Sequence, residues 1–295
     1  MLKGVYPVIP TLFSPNTVDL EALRLVVQFA IDSGAHGIVF PGVASESNFL
    51  TPSERGQLIE TVVKQIDGQI PIVGGASAST ADEVIAYGLE AQANSVKHLM
   101  IMAPKELGQD VDAHRDFFAT ISAALKDVEI ILQNAPVPIG AGLAPKDIIT
   151  VTASTPAITY VKEETLPSGP AITAIQEAGI AHLKGVFGGG GARYIIDELN
   201  RGALGAMPAI ELADLHVAIY EAHAKENHKQ ARELYRLSLP LLVSQTVYRM
   251  RLTKYVLKQR GIVDCLEVRA PLPQLDEHTQ KDINLMLADL FEVFP

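Results

Sequence analysis

From Gly4 to Met207 short apolar runs alternate with stretches of helical period. The runs are Val5–Phe13, Gly37–Gly42, Pro71–Ala76, His98–Pro104, Glu129–Pro136, Ile158–Glu164, Ala181–Gly189 and Gly202–Pro208. Between them, Leu20–Ser33, Pro52–Ile66, Ala81–Asn94 and Asp112–Lys126 carry apolar residues three and four apart, the spacing of an amphipathic helix. Gly34 stands where a helix C-cap belongs, and Thr51-Pro52-Ser53-Glu54 reads as a capping box with proline at the first helical position. Strands apolar on both faces, each followed by a helix, describe a parallel sheet covered on its outside. Eight such units in strict alternation predict a (β/α)8 TIM barrel over residues 1–210.

After Ile210 the strand pattern stops. Leu212–Glu226, His228–Ser244, Val247–Gly261 and Asp276–Phe291 all read as helices. Residues 211–295 are therefore expected to form a C-terminal helical extension packed on the barrel and contributing to an oligomer interface. No low-complexity linker separates the two parts.

A chain of 295 residues with 48% hydrophobic and 20% charged residues has the composition of a globular protein with a large core. The N-terminal apolar stretch is interrupted by Pro7 and Pro10 and lacks a small-residue cleavage site, so it reads as a strand and not a signal peptide. No window resembles a membrane span. The single cysteine, Cys265, has no partner for a disulfide or a CxxC metal site and reads as a buried thiol in a reducing, cytoplasmic setting. A net charge of -10 without a basic run argues against nucleic-acid binding, yet leaves room for an anionic small substrate in a locally positive pocket. Of the eight histidines, His216, His223 and His228 lack metal-ligand spacing and are assigned to surface and interface; no metal or cofactor is expected.

In a (β/α)8 barrel the functional residues stand at the C-terminal ends of strands and in the loops that follow. The sixth run ends Thr159-Tyr160-Val161-Lys162-Glu163-Glu164, and alternation places Tyr160, Lys162 and Glu164 on one face. A lysine at the end of so apolar a run is expected in a pocket that disfavours its charge, which leaves a free amine to attack a ketone. The competing reading is a lysine snorkelling to solvent from the barrel rim; Lys184 and Lys105 are weaker candidates. The turn Gly42-Val43-Ala44-Ser45-Glu46-Ser47 offers successive N–H groups plus the hydroxyls of Ser45 and Ser47, which suits a carboxylate. Equally, it reads as an ordinary βα turn in which Glu46 satisfies local N–H groups. Gln133 and Asn134 end the fifth run, and Gly188-Gly189-Gly190-Gly191 after the seventh lets a ligand approach the main chain without forming a dinucleotide fingerprint.

Together, the opening GVYPVIPTLF, the Gly42-x-x-x-Glu46 turn, Leu50-Thr51 with Glu54-Arg55, the Asn134-x-Pro136 pair and the lysine of Val161-Lys162-Glu163 resemble the dihydrodipicolinate synthase/N-acetylneuraminate lyase family of class I lyases. The resemblance extends over essentially the whole chain, tail included. It implies that Lys162 forms a Schiff base with the ketone of a small anionic 2-oxo acid and that the turn at Val43, Ala44 and Ser45 holds the substrate carboxylate. It also implies a homotetramer, to which the composition adds a cytoplasmic setting with neither nucleic acid nor membrane as partner.

The departures are informative. The family's proton-relaying tyrosine before the asparagine is Gln133 here, which cannot take a proton from an alkoxide. The threonines of the synthases are replaced by Val43 and Ala44, the tyrosine expected after the fourth strand is absent from Ala103–Leu107, and the arginine expected near Pro138 is missing. Dihydrodipicolinate synthesis is thereby disfavoured. Glutamine at this position with Lys162-x-Glu164 is similar to the L-2-keto-3-deoxyarabonate dehydratase branch, whose second acidic residue in the strand-seven loop is replaced here by glycines. The expected activity is dehydration of a 2-keto-3-deoxy sugar acid with Lys162 and Glu164 catalytic. Val43, Ala44, Ser45, Ser47, Gln133, Asn134, Tyr160, Gly188 and Gly189 are expected to contact substrate. Retro-aldol release of pyruvate is the alternative reaction, and a 2-oxo acid sensor the alternative from outside enzymology.

Overall fold

A computed structural model of the chain describes residues 1–15 and 17–294. Eight parallel strands form one sheet: β1 Gly4–Val5, β2 Ile38–Val39, β3 Ile72–Gly75, β4 His98–Met102, β5 Glu129–Asn134, β6 Ile158–Glu163, β7 Gly185–Gly188 and β8 Gly205–Ala206. The order runs β1-β8-β7-β6-β5-β4-β3-β2. Val8 closes it into a barrel by parallel bridges to Val39 and Ala209. Each apolar run read from the sequence contains one of these strands, except that the first, Val5–Phe13, shares only Val5 with β1. The first run contributes only Val5 and the Val8 bridge, because Pro7 and Pro10 have no N–H for a ladder. Its end, Phe13–Ser14, turns into a small antiparallel hairpin with Thr17–Val18.

The outer helices are α1 Leu20–Asp32, α2 Pro52–Ile66, α3 Ala81–Ala93, α4 Val111–Ala124, α5 Pro145–Ser154, α6 Ser168–Glu177 and α7 Ile195–Asn200. Gly34 takes φ +72 just past α1, the left-handed conformation that ends a helix cheaply at glycine. At the start of α2 the Glu54 N–H donates to Thr51 Oγ1 at 3.2 Å and the Thr51 N–H to Glu54 Oε2 at 2.9 Å, the reciprocal box predicted from the sequence.

The barrel interior is filled, not hollow: Tyr6, Val8, Val39, Val73, Met100, Ile131, Tyr160, Phe187 and Met207 form one buried cluster. Two larger clusters lie between the strands and the outer helices. A further one joins Val5 and Ala206 to the tail helices α8 Ala213–Ala224, α9 His228–Tyr248, α10 Met250–Gln259 and α11 Glu277–Val293. The break between α9 and α10 falls at Arg249, later in the chain than the apolar periodicity indicates, and Arg249 adopts φ 46.

Candidate active site

Register brings the chemistry together. At the C-terminal ends of adjacent strands Gln133 on β5 pairs with Lys162 on β6, and Asn134 with Glu163. Lys162 is 3% exposed, and its Nζ stands 3.3 Å from Glu164 Oε1. The pocket expected to be apolar around the lysine thus contains a carboxylate. Glu164 also accepts from Gln133 Nε2 at 2.6 Å and from the Gly190 N–H at 3.0 Å. Burial opposes its charge, but Lys162 and these donors hold its carboxyl below the ordinary range.

These groups line a cavity of about 270 Å³ together with Val43, Ala44, Gly190, Gly191 and Arg193. An adjoining lobe of about 280 Å³ shares Val43 and Gln133 and adds Ser47 and Lys105. The Oε1 of Gln133, buried and without a partner among the described residues, is an acceptor available to a ligand hydroxyl. Val43 and Ala44 begin a short 3₁₀ turn, Val43–Ser45, where the turn itself supplies no acceptor for the first N–H groups. Among the described residues no three His, Cys, Asp or Glu side chains cluster so as to hold a metal ion.

Four residues expected at the ligand are spent elsewhere. Ser45 Oγ accepts from the Gly42 N–H at 2.8 Å and donates to the Ile9 carbonyl, so its hydroxyl builds the turn. Asn134 donates from Nδ2 to Leu143 O and Glu163 Oε2 and accepts the Leu143 N–H, each at 2.9 Å, which shapes the loop after β5. Tyr160 faces the interior as alternation requires but lies lower in the barrel, its hydroxyl accepting the Leu2 N–H at 2.9 Å. Gly188 leaves space for the Glu198 carboxylate: a Cβ there would stand 1.9 Å from Glu198 Oε2. Of the glycines, Gly190 and Gly191 reach the cavity, and Gly189 packs on Glu164. Lys184 ion-pairs with Glu129 near the N-terminal ends of β7 and β5, away from this cavity.

Glu46 has a further partner. Besides accepting the Arg269 and Ala270 N–H groups at 2.8 Å, it ion-pairs at 2.7 Å with Lys254 of α10, both side chains fully buried. The tail also supplies the cavity with Gln245, Thr246 and Arg249. Sequence reasoning missed these residues and Arg193; the one available signal was Arg193 standing two residues after the glycine run.

A (β/α)8 barrel with a small-molecule cavity at the C-terminal ends of its strands is the class that fold and site define. The model of the dihydrodipicolinate synthetase family matches residues 1–290, and the chain belongs to that family, whose members are lyases. It is 26% identical over 287 residues to an L-2-keto-3-deoxyarabonate dehydratase from Azospirillum brasilense, covering 95% of this chain and 92% of that one. It is 25% identical over 293 residues to a 4-hydroxy-tetrahydrodipicolinate synthase from Methanocaldococcus jannaschii, covering 98% and 99%. The solved 4-hydroxy-tetrahydrodipicolinate synthase from Methylacidiphilum fumariolicum SolV superposes with a TM-score of 0.89 at 21% identity, covering 99% of this chain and 97% of that one. Among the described residues no helix is long and apolar enough to cross a membrane.

Proposed function

We propose that the protein is a Schiff-base lyase that removes water from a 2-keto-3-deoxy sugar acid. The observation that carries the reading is the buried Lys162–Glu164 pair at 3.3 Å, with Gln133 hydrogen-bonded to the same carboxylate. Lys162 passes a proton to Glu164 and attacks the C2 ketone. Glu164 returns that proton as the carbinolamine loses water, leaving an iminium. The iminium is an electron sink, so the Glu164 carboxylate can remove a C3 proton to give the enamine. Protonation of the C4 hydroxyl by the same group then releases a second water, and hydrolysis of the conjugated iminium frees product and Lys162. The Val43 and Ala44 N–H groups hold the substrate carboxylate, and Gln133 Oε1 accepts a hydrogen bond from a substrate hydroxyl.

Retro-aldol cleavage needs a base on the C4 hydroxyl; the amide of Gln133 is not one, which leaves Glu164 or water to serve in its place. The relatives include both a dehydratase and synthases, and Gln133 favours the former. Borohydride with pyruvate should reduce an adduct onto Lys162, and Lys162→Ala should abolish it. Glu164→Gln should still form the adduct, though more slowly, while turnover falls about 10²-fold or more, the share typical of a positioned proton-transfer group. Product analysis on a panel of 2-keto-3-deoxy acids decides the reaction. Release of pyruvate plus an aldehyde overturns the dehydratase; an adduct surviving in Lys162→Ala overturns the assigned nucleophile.

A further inference from the structure

The cavity that holds Lys162 and Glu164 is also lined by two arginines, Arg193 and Arg249. Arg193 follows the glycine run after β7, and Arg249 sits at the junction of α9 and α10, also facing the adjoining lobe. Neither is within ion-pair distance of a carboxylate among the described residues, whereas Arg55, Arg260 and Arg269 all are. Glu164, the carboxylate lining this cavity, is engaged by Lys162. Glu198, behind Gly188, accepts from Ser168 Oγ at 2.7 Å. Glu164 and Glu198 attract Arg193 only from beyond ion-pair distance, so a substrate with a single carboxylate, held at the Val43–Ala44 turn, would leave both arginines without a hydrogen-bonded counter-charge in a partly desolvated pocket.

The surroundings hold these cations in place. A Cβ on Gly191 would stand 3.0 Å from an Arg193 terminal nitrogen and 2.7 Å from Gln245 Oε1, so a side chain at that position would crowd the guanidinium. Gln245 is itself oriented: its Nε2 donates to the buried Glu211 at 2.7 Å, which turns Oε1 toward Arg193 at 3.4 Å. Thr253 Oγ1 donates to the other Glu211 oxygen at 3.0 Å. Arg249 has φ 46 and ψ -123, a conformation that a residue with a side chain adopts at a cost and that clusters at functional sites.

We propose that Arg193 and Arg249 form a distal anion subsite, so that the substrate is a 2-oxo acid bearing a second anionic group, a carboxylate or a phosphate, at the end away from the ketone. This rests on the reading that Lys162 takes the ketone. The cavity then matches both charges: the turn and Lys162 for the 2-oxo carboxylate, and the two arginines for the far anion. The same arrangement discriminates against 2-oxo acids of equal length that are uncharged at the far end, because binding one covers both guanidinium groups without a partner anion.

The test uses the full chain and four probes. Titration calorimetry compares 2-oxoglutarate with 2-oxopentanoate, which replaces the far carboxylate by a methyl, and 3-phosphohydroxypyruvate with hydroxypyruvate. The anionic member of at least one pair should bind about tenfold or more tighter, the gain expected of a hydrogen bond to a charged group. Which pair shows it separates carboxylate from phosphate. Arg193→Gln and Arg249→Gln should each remove most of that preference. Arg249→Lys should keep part of it. Equal binding within both pairs, or a preference intact in both glutamine variants, overturns the subsite. Titration of Lys162→Ala separates the two readings: the preference should persist there, and it remains measurable even if no probe is trapped by borohydride.

Discussion

A Cβ on Gly189 would stand 2.4 Å from Glu164 Cγ, so the carboxylate facing Lys162 occupies space that glycine leaves open. The glycine run after β7 therefore does two things: Gly189 admits the Glu164 side chain, and Gly190 donates an N–H to its Oε1. Gly189→Ala should displace the carboxylate while leaving the barrel folded. Turnover should fall about 10²-fold, the penalty for misplacing a reacting group by an ångström. Steady-state kinetics alongside a thermal melt check this; parental turnover would mean that Glu164 tolerates the shift and need not hold this position.

The Lys254–Glu46 pair is a second separable device. Both side chains are fully buried, and Lys254 also donates to the Glu267 carbonyl at 2.6 Å. Lys254→Met leaves the Glu46 carboxylate without its counter-charge and should destabilise the protein by about 3–5 kcal/mol in urea denaturation. Adding Glu46→Gln to Lys254→Met should recover part of that loss, since the carboxamide carries no charge to bury. A double variant no more stable than Lys254→Met would show that the pair's charge is not what matters.

Glu198 gives a pH signature. Burial is the main cause that raises its carboxyl from 4.5 to about 7, and Glu164 adds repulsion. The native state then holds this proton more tightly than the unfolded chain, so stability is lost as pH rises from about 4.5 to about 7 and is level above that. Glu198→Gln mimics the protonated form and can still accept from Ser168. Its melting temperature relative to the parent should climb between pH 5 and pH 7.5. A difference that stays flat across that window would show that Glu198 titrates normally.

The barrel was legible because each strand is apolar on both faces and each helix keeps its own period, so short local windows suffice. Lys162 and Glu164 were legible for a related reason: a charge at the end of an apolar strand is an anomaly, and alternation places both on one face. Alternation gives a face but not a depth, which is why Tyr160 reads like Lys162 and yet belongs to the interior packing. Ser45 and Asn134 have the donor and acceptor groups a ligand wants, but the partners that absorb them, Ile9, Leu143 and Glu163, lie far away in the chain or in irregular loops. Arg249 was hidden because helical periodicity runs straight through the junction that turns its side chain to the cavity, and Lys254 because a lysine on a tail helix ordinarily faces water.

The ion pair between residues 46 and 254 also sets an order of events during synthesis. While the ribosome has made the strands and outer helices but not α10, Glu46 has neither Lys254 nor the N–H groups of Arg269 and Ala270 to receive it. Burying it unaccompanied is unfavourable, so the turn beside Val43 and Ala44 acquires its final shape only after the last quarter of the polypeptide has emerged. A nascent barrel cannot give this turn its finished shape before residues 254–270 arrive.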